Sequence, residues 1–219
     1  VHGIIVLNVY NERLLRLLAE TQIPKVFLDT SSLVAPDELN GDLLLMESRT
    51  SVRRITCHLL EQGRTLPGFI GDISYAQSNR ERYEGFCQAL ADAGKKVDSS
   101  LCLTTPLGID TYREEIDTFL SSLSRMPDAF VCASDYVACI LMQLLEKRGL
   151  RVPEDVAVSG FDNNTEDLLA EHLTTVQVFN EELGARLALQ ILYRIKYPNT
   201  PHEITYLGTN VLYRDSTGD

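Results

Sequence analysis

The stretch that decides the fold is AFVCASDYVACILMQLLEKRGLRVPEDVAVSGFDN, residues 129–163. It opens with a short apolar run and continues into a segment of helical periodicity, from Asp135 to Arg148, that ends at Gly149. Glycine is the residue type that most often follows a helix C-terminus. A second apolar run, DVAVSGF (155–161), comes next. A strand, a helix and a strand in this order are typical of a parallel βαβ unit, so the stretch predicts an α/β fold.

The same alternation extends outward from this stretch in both directions. Further apolar runs are GIIVLN (3–8), KVFLD (25–29), DLLLM (42–46), GFIG (68–71) and TTVQV (174–178). Amphipathic segments predict helices over 12–20, 50–62, 80–93, 111–124 and 181–196, the last with Asn180 as its N-cap. Continuous apolar runs favour strands buried on both faces, as in parallel sheets. The C-terminal EITYLGTNVLYRD (203–215) has no following helix and predicts extended strands.

Composition places the chain among globular proteins of a reducing compartment. Of its 219 residues, 44% are hydrophobic and 23% are charged. No apolar run approaches the roughly 20 residues that span a bilayer, and the start HGIIVLN lacks the basic flank of a signal peptide. The five cysteines are odd in number and lack Cys-x-x-Cys spacing, which disfavours disulfides and zinc. We therefore expect a cytoplasmic protein without a membrane partner.

Charge argues against direct contact with nucleic acid. The chain carries 20 basic and 31 acidic residues, for a net charge of −11. The densest basic patch, RTSVRR (49–54), lies at helical spacing and is typical of a solvated helix face. An acidic surface repels phosphate backbones, so we predict that these 219 residues do not bind DNA by themselves.

Enzymatic motifs are missing from the sequence. It contains no Gly-rich nucleotide loop and no Gly-x-Ser-x-Gly elbow, and in RDSTG (214–218) one residue too many separates Asp from Gly for an aspartic-protease triplet. None of the four histidines has a second His or a Cys at ligand spacing on the same helix face. We expect no enzyme, no metal and no cofactor.

Polar residues that follow the predicted strands are the candidates for a binding site, because ligands of parallel sheets bind beyond the carboxyl ends of the strands. These residues are Asn8, Asp29, Asp72, Ser134, Asp135, Asp162 and Asn163. The turn SNRERYEGF (78–86) adds an arginine at the start of a helix. Carboxylates and a guanidinium can clamp a hydroxyl-rich ligand through charge-assisted hydrogen bonds. The alternative for Asp135 and Asp162 is helix capping, which spacing alone favours for Asp135 and leaves open for Asp162.

Ordered blocks along nearly the whole chain resemble the LacI/GalR family of bacterial transcription regulators. In the stretch 129–163, the resemblance rests on Ser-Asp, on Gly-Leu-x-Val-Pro-x-Asp-Val and on Gly-Phe-Asp. The other blocks are VHGIIVLN (1–8), IPKVFLD (23–29), HLLEQGRTLPGFIGD (58–72), RYEGFCQALADAG (82–94), LTTVQVFNEELGARLALQIL (173–192) and VLYRDSTG (211–218). The chain departs from the family at MESRTSV (46–52) and at Gly63-Arg64.

The resemblance implies a two-lobed, periplasmic-binding-protein-like α/β fold with parallel sheets flanked by helices. The N-terminal lobe would comprise about 1–46 and 178–206, and the C-terminal lobe about 47–177 and 207–219. The family's helix-turn-helix headpiece and the first strand–helix–strand of its N-terminal lobe have no counterpart in the sequence. We therefore expect an incomplete N-terminal lobe, and contact with DNA only through a headpiece outside these residues.

The implied function is the ligand-responsive core of a homodimeric regulator. A small effector, a sugar or a related polar metabolite, would bind in the cleft between the lobes. The residues that match the family's effector site are Asp29, Arg82, Ser134, Asp135 and Asp162. The alternative is a periplasmic sugar-binding protein of a transport system, which would share the fold. The five cysteines and the block VPEDV (152–156) argue against that alternative.

Overall fold

Strands and helices alternate through most of the chain in the computed structural model, which describes residues 1–108, 110–164 and 171–218. The strands are β1 (Ile4–Leu7), β2 (Lys25–Leu28), β3 (Asp42–Met46), β4 (Pro67–Ile70), β5 (Cys102–Leu103), β6 (Ala129–Cys132), β7 (Ala157–Ser159), β8 (Thr175–Gln177), β9 (Ile204–Leu207) and β10 (Asn210–Leu212). The helices are α1 (Glu12–Glu20), α2 (Arg49–Glu61), α3 (Gln77–Asp92), α4 (Tyr112–Ser122), α5 (Asp135–Lys147) and α6 (Asn180–Lys196).

Two parallel four-stranded sheets form the framework. The first sheet has the order β1-β2-β3-β9, and the second has the order β5-β4-β6-β7. An antiparallel ribbon of β8 and β10 lies beside the second sheet, where Ser159 bridges Thr174. The predicted α/β fold with parallel sheets flanked by helices is therefore confirmed.

The chain crosses between the two sheets at three places. It leaves the first sheet after β3, returns between β8 and α6, and leaves again between β9 and β10. The first sheet thus combines strands from both ends of the sequence. The predicted limits of the two lobes remain predictions, and residues 109, 165–170 and 219 of the second predicted lobe lie outside the described residues.

One buried apolar cluster runs through both sheets and joins them. From the first sheet it contains Val26 and Leu44, and from the second it contains Phe69 and Val131. Helix α6 adds Leu183, Leu187 and Ile191, which repeat at the helical spacing seen in the sequence. Because this core is continuous, the cleft between the sheets has a packed floor.

A buried ion pair fastens α6 to β3. Arg194 donates to Asp42 from Nε at 3.0 Å and from Nη2 at 2.5 Å, and both side chains are only 2% exposed. The Asp42 carboxylate also accepts from the Gln190 side chain at 2.8 Å and from the Glu203 backbone at 2.9 Å. Burial favours the neutral acid, but the hydrogen bonds from Arg194 and Gln190 outweigh it and lower the pKa of Asp42. The ion pair therefore remains charged in the interior and links α6 to β3.

The starts of two helices and one short strand differ from the predictions. Helix α3 begins at Gln77 instead of residue 80, because the Gln77 amide donates to the Thr30 carbonyl at 2.8 Å, a contact from the far end of β2. The prediction of Asn180 as an N-cap is wrong: Asn180 is the first residue of α6, and Phe179 occupies the cap position without a side-chain hydrogen bond. Strand β5 was not predicted, since two residues are too short for any period to show.

Candidate functional site

A cavity of about 730 Å³ lies where the carboxyl ends of strands from both sheets meet. This volume is within the usual range of small-molecule sites, roughly 300–1,000 Å³. Its lining includes Asn8, Tyr10, Asp29, Met46, Asp72, Tyr75, Asn79, Arg82, Tyr112, Ser134, Val137, Asp162, Asn163, Val178, Asn180 and Leu183. We call it the central cleft. The strand-end rule used on the sequence therefore points to a real concavity.

Arg82 lies in α3 and forms one wall of the central cleft. Its guanidinium stacks 3.6 Å above the centroid of the Phe161 ring, and Nη1 donates to the Ala133 carbonyl. The residue is only 4% exposed, and its Nε has no hydrogen-bond partner in the described part of the chain. A planar donor held in this way has a fixed direction and can offer Nη2 to a ligand with little loss of side-chain entropy.

Asp162 faces Arg82 across the floor of the central cleft. Its Oδ1 lies 3.5 Å from Arg82 Nη2, which is longer than a strong charge-assisted hydrogen bond, and its side chain is 42% exposed. The backbone adopts a positive φ of 106°, fixed in part by a bond from its amide to the Val176 carbonyl at 3.1 Å. Burial by the cleft walls raises the pKa of this carboxyl, and Arg82 partly offsets the rise. The structure thus brings together two of the candidate effector residues, Arg82 and Asp162.

Asp29 lines the cleft from the first sheet, but its oxygens are already occupied. The carboxylate accepts from the Thr30 amide at 2.7 Å and from the Ser78 amide and hydroxyl at 3.3 and 2.6 Å. It also accepts from the Tyr10 hydroxyl at 3.2 Å. Burial and the Asp29 charge together raise the pKa of Tyr10. A carboxylate offers about four lone-pair sites, so Asp29 holds the N-terminus of α3 and positions Tyr10 in the cleft.

Ser134 and Asp135 occupy different positions relative to the cleft. Ser134 lines it and is the N-cap of α5, because its hydroxyl accepts from the Val137 amide at 3.3 Å. Asp135 lies behind the wall, where it accepts from the Thr175 hydroxyl at 2.5 Å and from the Asn164 amide at 2.7 Å. Burial raises the pKa of Asp135 to about 6. Ser134 therefore supplies the cap that spacing had favoured for Asp135, and Asp135 supports the segment carrying Asn163 and Asn164. The alternative for Asp162 was that it caps a following helix. Such a helix would include residues 165–170, which lie outside the described residues.

Three tyrosines of the lining were missed by the sequence reasoning. Tyr10 and Tyr75 contact each other with ring centroids 4.3 Å apart, and Tyr112 lies farther along the wall. Tyr10 and Tyr75 follow β1 and β4 by a few residues, so the strand-end rule would have found them had it been applied to aromatic residues. Aromatic faces that carry a hydroxyl suit flat, partly apolar ligand surfaces.

A metal site and a membrane-spanning helix are both absent from the described residues. Over the ranges given above, no cluster of three or more His, Cys, Asp or Glu side chains has the geometry to hold a metal ion. None of the helices in those ranges combines the length and apolar character that crossing a membrane requires.

Comparison with known proteins identifies the family of this chain. The family model described as "Periplasmic binding protein-like domain" matches residues 56–217. The chain belongs to this family. Its relatives include the HTH-type transcriptional repressor PurR of Aliivibrio fischeri, 29% identical over 209 residues, which cover 94% of this chain and 61% of that protein. The HTH-type transcriptional regulator DegA of Bacillus subtilis is 31% identical over 77% of this chain and 48% of its own length.

Solved structures of LacI-family regulators share the fold. The transcriptional regulator CelR in complex with cellobiose superimposes with a TM-score of 0.86 at 28% identity, covering 99% of this chain and 66% of that chain. A LacI-family regulator from Sanguibacter keddieii gives 0.76 at 27% identity, covering 92% and 75%. The resemblance to LacI-family regulators is thus confirmed. The chain spans at most about three fifths of the length of the PurR and DegA relatives.

Proposed function

We propose that this chain is the ligand-responsive core of a bacterial transcriptional regulator, and that the central cleft binds its effector. The observation that carries the proposal is the placement of Arg82 and Asp162 in a cavity that is also lined from the first sheet by Asn8, Tyr10 and Asp29. The named relatives, which are transcriptional regulators, support it.

The charges of the central cleft favour a neutral, hydroxyl-rich effector such as a sugar. Among the described residues, the lining contains three carboxylates, Asp29, Asp72 and Asp162, and one guanidinium, Arg82. A phosphate group would meet this excess of negative charge, whereas hydroxyl groups can donate to Asp162 and accept from Arg82. The solved CelR complex contains cellobiose, a neutral sugar of this kind.

The effector acts through the relative arrangement of the two sheets. A ligand held by Tyr10 on one side and by Arg82 and Asp162 on the other binds one arrangement more tightly than another and shifts the population toward it. In a homodimer such a shift reorients whatever is attached to each core. DNA is contacted by a headpiece outside these 219 residues, and the regulator works in the cytoplasm.

A thermal-shift panel followed by calorimetry tests the proposal. Cellobiose and other neutral mono- and disaccharides form one arm, sugar phosphates the second, and purine bases the third. We expect a member of the neutral arm to raise the melting temperature, since a ligand that binds only the native state stabilises it. Saturable binding of sugar phosphates alone would contradict the charge argument. Binding that survives Asp162→Ala together with Arg82→Lys would contradict the assignment of the cleft.

A further inference from the structure

A second cavity lies against all three crossings between the sheets. It has a volume of about 280 Å³ and is lined by Met46, Val178, Phe179, Glu182, Leu183, Leu207, Gly208 and Thr209. We call it the hinge cavity. Met46, Val178 and Leu183 also line the central cleft, so these side chains form a wall shared by the two cavities. Each crossing contributes to the lining: Met46 from the first, Val178 from the second and Gly208 from the third.

The lining of the hinge cavity is apolar apart from one charge. Met46, Val178, Phe179, Leu183 and Leu207 supply side chains without hydrogen-bonding groups. The hydroxyl of Thr209 is already used, because it donates to the Glu47 carbonyl and bonds Ser51, both at 2.8 Å. Glu182 is therefore the one ionisable group among the described residues of this lining. None of the ion pairs found within the described ranges involves Glu182.

An apolar recess with a single carboxylate is complementary to an organic cation. The apolar body of such a ligand would leave water inside the cavity, while its charge would stay at the carboxylate and keep a hydrogen-bonding partner. Phe179 presents a ring that is 38% exposed at the same place, and a cation close to an aromatic face gains further attraction. The net charge of −11 raises the local concentration of cations and lowers that of anions.

We propose that the hinge cavity binds a small monovalent organic cation, with its apolar body among the leucines and its ammonium group at Glu182. This site is distinct from the central cleft in its chemistry, since the cleft is lined mainly by polar groups. A ligand that touches all three crossings binds differently when the crossings move. If the proposed function holds, occupancy of the hinge cavity therefore changes effector affinity in the central cleft, and the effector changes cation affinity by the same factor.

Calorimetry with 2-phenylethylammonium as the probe tests the site without any effector. We expect saturable binding with a dissociation constant in roughly the millimolar range or below, as suits so small a ligand. The neutral analogue 2-phenylethanol keeps the apolar body and lacks the charge. It should bind about tenfold more weakly or worse, because the charge-assisted bond to Glu182 is lost.

Matched variants locate the probe. Glu182→Gln should weaken the binding of 2-phenylethylammonium about tenfold or more. Glu181→Gln changes a neighbour that is also exposed but lies outside the lining, and it should leave the binding unchanged. Gly208→Leu introduces bulk at the lining, where an added Cβ would meet nothing within 4 Å, and should abolish binding. Should Gly208→Leu fold poorly, Glu182→Lys places a competing ammonium at the surface and should abolish binding as well.

Three outcomes would overturn the proposal: no saturable binding of 2-phenylethylammonium, equal binding of the alcohol, or binding that is lost in Asp162→Asn and retained in Glu182→Gln. The third outcome would mean that the probe binds in the central cleft and not in the hinge cavity. The test is separable from the proposed function, because cation binding is measured on the chain alone. Its failure leaves the effector site standing, and a failed effector screen leaves the cation site standing.

Discussion

At the scale of single residues, the carboxylates in and around the central cleft fall into two kinds. Some accept hydrogen bonds that hold the fold together, and one is exposed to a ligand. Asp29 and Asp135 are each 2% exposed, and their oxygens accept bonds from neighbouring elements. Asp162 keeps exposed oxygens at the end of a long pair with Arg82. All three carboxylates follow a predicted strand, and spacing alone favoured a helix cap at Asp135 and left Asp162 open. The packing around each carboxylate shows which oxygens are occupied and which are exposed to a ligand.

Asp162→Asn should therefore weaken effector binding while sparing the fold. The amide keeps the shape of the side chain but loses the charge, and losing a hydrogen bond to a charged group costs about 1.5–3 kcal/mol, roughly tenfold to a hundredfold in affinity. Calorimetry with the sugar that emerges from the panel measures this, with the exposed Asp37→Asn as control. Unchanged affinity in Asp162→Asn would support the capping role, since asparagine caps a helix as well as aspartate does.

Asp135 gives the stability of the chain a pH dependence of definite sign. Burial raises its folded pKa to about 6, above the value of about 3.9 in an unfolded chain. Between these values the folded state holds a proton that the unfolded state has lost, so this group's contribution to stability is lost as pH rises through about 6. Relative to Asp135→Asn, the wild-type free energy of unfolding should increase by roughly 1 kcal/mol from pH 7 to pH 5. Urea titrations of both proteins at the two pH values check this, and a decrease would reverse the assigned sign.

At the scale of elements, the sequence predicts well what is local and less well what is imposed from afar. Helix α1 lies over the residues that its periodicity predicts, and Gly149 follows α5 with the positive φ of 73° that its role requires. Helix α3 begins three residues before its predicted start, because Asp29 and Thr30 of the other sheet supply the acceptors for its first amides. Such acceptors cannot be read from the helix's own residues.

The buried ion pair of Arg194 and Asp42 links helix α6 to strand β3, and its loss should lower the free energy of unfolding substantially. Arg194→Met leaves the Asp42 carboxylate buried without its cation, and removing one partner of such a pair destabilises by about 3–5 kcal/mol. The exposed pair of Arg53 and Asp92 is the matched control, and Arg53→Met should change the free energy of unfolding far less, because water and salt screen an exposed pair. Urea unfolding of the two variants measures the difference. Equal losses of unfolding free energy in the two variants would show that burial does not determine how much the Arg194 pair stabilises the fold.

At the scale of the whole molecule, charge and topology decide what the chain can do alone. With 31 acidic against 20 basic residues, these 219 residues should show no sequence-specific binding to duplex DNA at physiological salt. A mobility-shift assay with a randomised duplex pool checks this. Selection of a discrete sequence from the pool would contradict it.

The architecture of two sheets was predictable from strand–helix alternation, but the contents of the central cleft were only partly so. Asp162 and Arg82 were found through motifs and strand ends, whereas Tyr10 and Tyr75 were missed because the strand-end rule was not applied to aromatic residues. The hinge cavity was beyond reach for a further reason. Its lining comes from three crossings far apart in the sequence, and their meeting depends on the complete fold.

The route of the chain through its two sheets also sets an order of events during synthesis. In the second sheet, Pro67 of β4 pairs with Ala129 of β6, so the strands of this sheet come from one continuous stretch. In the first sheet, Leu43 of β3 pairs with Ile204 of β9, near the other end of the chain. A ribosome therefore releases β3 together with its neighbour β2 but long before β9, and the closing of so long a loop between β3 and β9 is slow. Pulse-labelled hydrogen exchange during refolding should show the amides that join β4 to β6 protected before those that join β3 to β9. Until β9 arrives, the edge of β3 that faces away from β2 has no partner strand, and an unpaired strand edge is prone to aggregation.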